Sequence, residues 1–255
     1  MYDFYTDYYR RAMASPAYGE FCTRVFGANY TQHGFADMAA VDRLIHAGEL
    51  DATHRILELG CGSGGIAAYI AATTGAHVTG IDYIPEAVRQ AQAHVDAAPG
   101  RLRFEVADIA TLPYPAASFT AVVAIDTLYF TDLDATLAQL KRILTASGQL
   151  LAYYAQGANP QTPVERFDRS TLAPACTDLG RALHRQGFAF ETWDVTGADV
   201  RHARRKRAVL EELRPAFAAE GTLSLYENRL GEANGVLAAW EAGCHARYLY
   251  RAIPL

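Results

Sequence analysis

The sequence predicts an α/β fold whose doubly wound, mostly parallel sheet is covered by helices on both faces. Short apolar runs typical of strands alternate with runs typical of helices along most of the 255 residues. The run 119–125 (FTAVVAI) holds a single polar side chain, which indicates a strand buried at the centre of the sheet. A cluster of glycines lies between the first predicted strand and the next helix, where folds of this kind bind ligands.

The first half of the chain contains four of the predicted strands. They are residues 55–59, 77–82, 102–106 and 119–125. An alanine-rich helix is predicted over 64–73, and a second helix begins at Pro85 and ends before Pro99-Gly100.

The second half adds three strands and longer helices. The strands are 149–155, 188–195 and 247–253, and the helices are 133–144, 170–186, 196–219 and 232–244. Thr196 and Asp199 have the spacing of a capping box at the start of the third of these helices. We therefore divide the chain into four parts: an N-terminal helical lid (1–50), a ligand-binding core (51–196), a helical cap insertion (197–245) and a final core strand (246–255).

Composition excludes several classes of protein. No stretch approaches the roughly 20 apolar residues of a membrane helix, and the acidic, aromatic start does not resemble a secretory signal. The four cysteines lie far apart, which argues against a disulfide scaffold or a metal cluster and favours the cytoplasm. A net charge of −5 argues against nucleic acid as a partner.

The glycine-rich loop is the strongest functional signal. Residues 58–65 read ELGCGSGG, and Asp82 ends the next strand, where a carboxylate can accept both hydroxyls of a ribose. Gly60, Gly62 and Gly65 also satisfy G-x-G-x-x-G, so an NAD(P)-dependent oxidoreductase is an alternative. A carboxylate at Glu58 suits a cationic or zwitterionic ligand better than a pyrophosphate.

Acidic residues recur where later strands end. Asp108 and Asp126 follow the third and fourth strands, so these acids share one rim of a parallel sheet with Asp82. Together with the run 56–65 (ILELGCGSGG), this pattern resembles the class I S-adenosylmethionine-dependent methyltransferases. The resemblance covers roughly residues 36–156 and the final strand, and it implies a seven-stranded Rossmann-like sheet with an antiparallel last strand.

The resemblance also implies roles for individual residues. Gly60, Cys61, Gly62 and Gly64 would line the methionine part of S-adenosylmethionine, supported by Glu58. Asp82 would hold the ribose, with Tyr83, Ile84, Asp108 and Ile109 around the adenine and Asp126 near the methionine end. The segment 26–34 resembles the entry segment of phosphoethanolamine methyltransferases, which would bring Tyr30 and Gln32 to the cofactor or substrate.

The expected acceptor is a small molecule. Candidate contacts are Tyr9, Tyr18, His33, Tyr129, Arg204 and Arg205, because tyrosine rings stabilise positive charge and arginines hold phosphate. Packing explains the tyrosines equally well, and a solvated helix face explains the arginines. The histidine that the phosphoethanolamine enzymes carry after the fourth strand is absent from Thr127–Phe130.

The sequence therefore predicts a methyltransferase acting on a small amine or phosphobase, or on a carbon of an isoprenyl diphosphate. No catalytic base is identified, and no metal is expected. A non-catalytic cofactor-binding protein of the same fold is a further alternative, and a homodimer is compatible with the sequence.

Overall fold

A seven-stranded sheet forms the centre of the computed structural model, which describes residues 2–157 and 164–255. Its strands are β1 (Arg55–Leu59), β2 (His77–Asp82), β3 (Leu102–Val106), β4 (Phe119–Ile125), β5 (Leu144–Gly157), β6 (Phe188–Asp194) and β7 (His245–Pro254). Their order is β3-β2-β1-β4-β5-β7-β6, and only β7 runs antiparallel to its neighbours. The predicted doubly wound sheet with an antiparallel last strand is confirmed.

Helices cover both faces and the carboxyl edge of this sheet. They are α1 (Tyr2–Ala14), α2 (Pro16–Phe26), α3 (Met38–Ala47), α4 (Gly65–Thr74), α5 (Pro85–Ala91), α6 (Leu133–Ile143), α7 (Asp178–Arg185), α8 (Thr196–Ala219) and α9 (Leu223–Glu241). The helix predicted over 170–186 is wrong in its first part, because Pro174 interrupts it and two short 3-10 turns precede α7. The helix predicted near Glu232 instead begins at Leu223.

Burial on both faces explains the apolar central strands. Ile56 and Leu57 are adjacent and completely buried, yet they belong to separate hydrophobic clusters on opposite faces. The same division separates Val122 from Val123 in β4. Successive side chains of a strand point to opposite faces, so a continuous apolar run requires cover on both sides.

Helices from both ends of the sequence form a third hydrophobic cluster, which we call the helical layer (α1, α2, α8 and α9). Phe21, Leu210 and Phe217 are fully buried in it. Ile84 and Ala87, which follow β2, belong to the same cluster. The helical layer therefore packs beside the edge at which β2 ends.

The direction of β7 decides which of its residues reach that edge. Because β7 is antiparallel to β5, its first residue, His245, pairs with Gly157 at the carboxyl end of β5. The capping box predicted at the start of α8 does not form, because the side chains of Thr196 and Asp199 both interact with residues of β7 instead. The Thr196 hydroxyl accepts from the Arg247 backbone N–H (2.9 Å), and Asp199 turns to Arg247 and His245.

Candidate active site

A cavity of about 650 Å³ lies between the carboxyl edge of the sheet and the helical layer. This volume is typical of small-molecule sites. Residues at the edge of six strands line it: Asp108 and Ile109 after β3, Asp82 and Tyr83 at the end of β2, Glu58 and Gly60 of β1 and its loop, Asp126 and Thr127 after β4, Ala155 in β5, and His245 and Arg247 in β7. Neighbouring strands are about 4.8 Å apart, so the cavity extends about 24 Å across the sheet.

The glycine loop brings the main chain to the surface of the cavity. Gly62 has φ +54°, a left-handed conformation that favours glycine. A Cβ there would also lie 3.0 Å from the Tyr9 hydroxyl. At Gly65, a Cβ would lie 2.2 Å from the Tyr30 Cβ. Both glycines therefore allow neighbouring tyrosines to pack against the loop.

Asp82 connects the end of β2 to the glycine loop. Its two carboxylate oxygens accept from the backbone N–H groups of Gly62 and Ile84, each at 2.9 Å. Burial raises the pKa of Asp82, and these two backbone hydrogen bonds oppose the shift. A carboxylate oxygen can accept more than one hydrogen bond, so Asp82 keeps the capacity to bind a ligand diol.

Glu58 is a buried acid with an unsatisfied oxygen. Its side chain lines the cavity, and Oε2 has no hydrogen-bond partner among the described residues. Burial, together with the negative charge of Asp82, raises the pKa of Glu58 to about 8, although the Ala67 N–H opposes the shift. Such a group favours a ligand that brings a positive charge or a hydrogen-bond donor.

The third acid is more exposed. Asp108 accepts from the Ala110 N–H (2.8 Å), which forms a turn directly after β3. Tyr83, Ile84 and Ile109 line the same end of the cavity, and 56% of Tyr83 is exposed. This end combines apolar surface with the carboxylate of Asp108, of which only one oxygen makes a hydrogen bond to another described residue.

The connecting segment between α2 and α3 (residues 27–37) closes one side of the cavity. The Ser63 hydroxyl donates to the Tyr30 carbonyl (2.5 Å), and the Phe35 N–H donates to Asp126 Oδ2 (2.8 Å). Gln32 stabilises the segment itself, because its Oε1 accepts from the Tyr30 N–H (2.9 Å). The segment is thus held at both the glycine loop and the end of β4.

His33 lies in this segment and contacts a buried cation. Arg229 of α9 donates to the His33 carbonyl and to its ring Nε2, both at 2.5 Å. Burial lowers the pKa of His33 well below its ordinary value, and the charge of Arg229 lowers it further. His33 is therefore a neutral acceptor toward Arg229, and its Nε2 has no free lone pair for a substrate.

Charged side chains form a continuous chain at the opposite end of the cavity. Arg247 donates to Asp126 Oδ2 (2.9 Å) and to Asp199 Oδ1 (3.1 Å), and Asp199 Oδ2 lies 2.7 Å from His245 Nε2. Burial alone would raise the pKa of Asp199, but Arg247 and His245 outweigh it and lower the value. This chain crosses from β4 to β7 and α8.

Glu232 of α9 is the remaining acid of this end. It lies 3.0 Å from Lys206 and 3.0 Å from Arg229, and both of these cations are fully buried. Burial lowers the pKa of Lys206, and the carboxylate of Glu232 opposes the shift. Every carboxylate at this end, Asp126, Asp199 and Glu232, therefore has a cationic partner.

The structure brings most of the predicted site residues together. Those that line the cavity are Glu58, Gly60, Cys61, Gly62, Asp82, Tyr83, Ile84, Asp108, Ile109, Asp126, Tyr30, Gln32, Tyr9, His33 and Tyr129. The Tyr129 hydroxyl accepts from the Ala155 N–H (2.6 Å), which fixes it above β5.

Four predicted residues lie elsewhere. Gly64 packs inward, because a Cβ there would lie 2.6 Å from atoms of both Ala91 and Phe104. Tyr18 is fully buried behind the connecting segment and donates to the Gln32 carbonyl (2.8 Å).

Arg204 and Arg205 also lie outside the cavity. Arg204 stacks on Trp240, 5.2 Å from the ring centroid, and Arg205 lies 4.0 Å from Asp37. Both are exposed on α8, so their predicted contact with an acceptor in this cavity is not supported.

Sequence reasoning missed the residues of the charged end of the cavity, next to β7. Asp199, Glu232, His245 and Arg247 come from α8, α9 and β7, which are separated in the sequence from the glycine loop. Asp199 was interpreted as part of a capping box, and that role alone accounts for an acid at this position. The signal that could have identified His245 and Arg247 is the antiparallel direction of the last strand, which places its first residues at the ligand-binding edge.

Among the described residues, no group of three or more His, Cys, Asp or Glu could hold a metal ion. None of the described helices combines the length and the apolar character needed to cross a membrane.

Comparisons with known proteins assign the class. Residues 56–148 match a family described as "methyltransferase domain". Phosphoethanolamine N-methyltransferase 1 of Triticum aestivum is 30% identical over 218 residues, which are 80% of this chain and 42% of that enzyme. Residues 56–148 are thus similar to a methyltransferase domain, and the predicted resemblance to S-adenosylmethionine-dependent methyltransferases is confirmed.

Solved structures agree on the fold. Phosphoethanolamine N-methyltransferase 2 of Haemonchus contortus, solved with phosphomonomethylethanolamine and S-adenosylhomocysteine, superimposes with a TM-score of 0.77 at 17% identity over 98% of this chain and 60% of that one. Cyclopropane synthase MmaA2 of Mycobacterium tuberculosis gives 0.73 at 17% identity over 96% of this chain and 98% of that one. The chain spans less than half of the wheat enzyme's length. The solved structures therefore establish the fold, and the sequence match over residues 56–148 establishes the methyltransferase domain.

Proposed function

We propose that this protein transfers the methyl group of S-adenosylmethionine to a small molecule bound in the cavity. One observation carries the proposal: three acids lie at the carboxyl ends of three adjacent parallel strands around a glycine loop, inside a chain whose residues 56–148 match a methyltransferase domain. The two ends of the cavity differ in chemistry, which gives each reactant its own place.

The β1–β3 end fits the cofactor. The unpaired Glu58 oxygen is available to the ammonium of a methionine tail, and the positive φ of Gly62 exposes backbone beside it. Asp82 is available to the ribose hydroxyls, and Asp108 to the adenine amine. Tyr83 and Ile84 offer apolar surface for the adenine ring.

The β4, β5 and β7 end holds the acceptor. The cofactor supplies an activated methyl group on a sulfonium with a good leaving group. The chain's own contribution is to orient the acceptor and exclude water. The connecting segment and the helical layer (parts 1–50 and 197–245) act as the lid and cap that provide this exclusion.

Two alternatives are less well supported. In an NAD(P)-dependent oxidoreductase, the pyrophosphate would approach the glycine loop beside buried Glu58, whose carboxyl suits a cationic ligand group and not an anion. In a non-catalytic binding protein, the cavity would need to hold only the cofactor. Here it continues past β4 to His245 and Glu232.

The charges of the lining residues bear on the chemical class of the acceptor. A phosphobase or an isoprenyl diphosphate would bring negative charge to the cavity. Arg247 is the only Lys or Arg among its lining residues in the described part of the chain, and it already contacts two carboxylates. The lining charges therefore favour neither of these predicted acceptors.

Isothermal titration calorimetry with S-adenosylhomocysteine and NADH tests the proposal. We expect saturable binding of S-adenosylhomocysteine and none of NADH. Asp82→Asn should weaken the binding about 10- to 100-fold, since it removes charge from hydrogen bonds to the ribose. Asp96→Asn, at an exposed acid outside the cavity, is the matched control. Binding of NADH alone would contradict the proposal.

A further inference from the structure

We propose that His245 is the general base of this enzyme and that its acceptor carries a hydroxyl group, so that the reaction is an O-methylation. The inference rests on the proposed function and adds the chemical class of the acceptor and the residue that takes its proton. It arises from the His245–Asp199 pair at the acceptor end of the cavity.

The pair has the geometry of an oriented base. Both side chains line the cavity, and Nε2 of His245 lies 2.7 Å from Asp199 Oδ2. Only 6% of the His245 side chain and 2% of the Asp199 side chain are exposed. Since the carboxylate accepts from Nε2–H, the other ring nitrogen, Nδ1, carries the lone pair.

Nδ1 lies beside the carboxyl end of β5. It makes no hydrogen bond to another described residue, and it lies 3.5 Å from the position that a Cβ on Gly157 would take. Gly157 ends β5, so Nδ1 is on the side of the carboxyl edge.

Asp199 remains ionised because Arg247 donates to its second oxygen at 3.1 Å. Arg247 is in turn fixed by Asp126 at 2.9 Å, which leaves the guanidinium few ways to move. A permanently charged carboxylate both selects one tautomer of His245 and stabilises the imidazolium that forms when it takes a proton.

The charges around the pair favour a neutral acceptor. Asp126 and Asp199 are paired with Arg247, and Glu232 is paired with Lys206 and Arg229. Among the described residues that line this end, no carboxylate is left to compensate a cationic amine, and no Lys or Arg is left to compensate a phosphate. Tyr5, Phe35 and Phe130 add aromatic surface to the same region.

A neutral hydroxyl needs a base, which this pair provides. The oxygen attacks the methyl carbon, and the carbon–sulfur bond breaks with its electron pair remaining on sulfur. The hydroxyl proton passes to His245 Nδ1 and then to solvent. The products are a methyl ether, S-adenosylhomocysteine and one proton.

The test uses the full chain, S-adenosylmethionine with a ¹⁴C-labelled methyl group, and three sets of acceptors. The first set contains catechol and simple phenols, the second contains phosphoethanolamine and sarcosine, and the third is a cell metabolite extract whose labelled products are identified by mass spectrometry. We expect labelled methyl ethers. His245→Gln should lower kcat about 10²- to 10⁴-fold, the range for loss of a general base.

Two further variants separate catalysis from structure. Imidazole in the buffer should restore part of the activity of His245→Ala, which a merely structural histidine would not allow. His184→Gln, at an exposed histidine of α7, should behave like the wild type. All variants should bind S-adenosylhomocysteine within about twofold of the wild type, because the hydrogen bond of His245 goes to Asp199 and not to the glycine loop, Asp82 or Asp108.

Several outcomes would overturn the inference. They are methylation of nitrogen, sulfur or carbon alone, full activity of His245→Gln, absence of imidazole rescue, and no transfer to any acceptor set. The proposed function fails separately, if the wild type binds no S-adenosylhomocysteine.

Discussion

Glu58 and Asp82 show how neighbouring carboxyls acquire different properties. Both are almost completely buried at the ends of adjacent strands, yet Asp82 accepts two backbone hydrogen bonds and one oxygen of Glu58 accepts none. Burial, followed by the negative charge of Asp82, raises the pKa of Glu58, and no hydrogen bond to Oε2 from a described residue opposes this shift. A group that is unsatisfied in the empty protein is well placed to gain free energy when a ligand arrives.

Replacing Glu58 should therefore stabilise the empty protein. The pKa of Glu58 is raised from 4.5 to about 8 in the folded state, so the folded protein binds the proton more tightly than the unfolded chain. The free energy of unfolding then falls as pH rises from about 4.5 to about 8, the pKa values of the two states. Near pH 8, the free energy of unfolding of Glu58→Gln should be about 1–3 kcal/mol higher than that of the wild type.

Urea denaturation at pH 5 and pH 8 measures this effect, with Glu227→Gln on the exposed face of α9 as the control. We expect Glu58→Gln to bind S-adenosylhomocysteine more weakly despite its higher stability. A variant that loses stability at pH 8 would contradict the interpretation.

At the scale of elements, the connecting segment is positioned by what the glycine loop lacks. Tyr30 packs where Gly65 has no side chain, and its carbonyl accepts from Ser63. An added Cβ would meet the Tyr30 Cβ, an atom next to the main chain that no side-chain rotation can move away. The segment itself must then shift.

Gly65→Ala should therefore weaken cofactor binding about tenfold or more and destabilise the fold by about 1–3 kcal/mol through overpacking. Gly231→Ala is a matched control in α9, where no atom lies within 4 Å of the added Cβ. That control should raise stability by about 0.5–1 kcal/mol, because alanine is the better helix former. Calorimetry and thermal unfolding measure both variants. Unchanged binding in Gly65→Ala would show that the segment does not cover the cofactor.

The elements also show how far sequence reasoning reaches. The strands of the sheet and the glycine loop follow from local patterns, and the acids of the rim follow from the rule that parallel strands end at one edge. The start of α9 was missed because Asn228 and Gly231 look like turn residues, whereas buried Leu225 and Tyr226 hold the helix in place. Arg204 and Arg205 were misplaced because the face that α8 presents to the cavity depends on tertiary packing.

At the scale of the whole molecule, the sheet and the helical layer are stabilised by different means. The sheet buries continuous apolar clusters. The helical layer also contains buried charge, because Arg229 reaches His33 of the connecting segment, lies 5.3 Å from the Tyr8 ring of α1 and pairs with Glu232. One side chain of α9 thus connects that helix to α1 and to the connecting segment, which lie near the start of the sequence.

Arg229→Met should loosen the helical layer and leave the sheet largely intact. Removing one partner of a buried charge cluster costs about 3–5 kcal/mol, and here the groups left unpaired lie in α1, α9 and the connecting segment. Hydrogen exchange followed by mass spectrometry should show amides of these segments exchanging at least about 30-fold faster, with little change in β1 and β4. S-Adenosylhomocysteine should slow exchange of the helical layer in the wild type.

Arg207→Met, at an exposed arginine of α8, should leave both regions unchanged. Equal acceleration in the sheet and the helical layer would mean that they unfold as one unit, and the lid would then have no independent freedom to admit an acceptor.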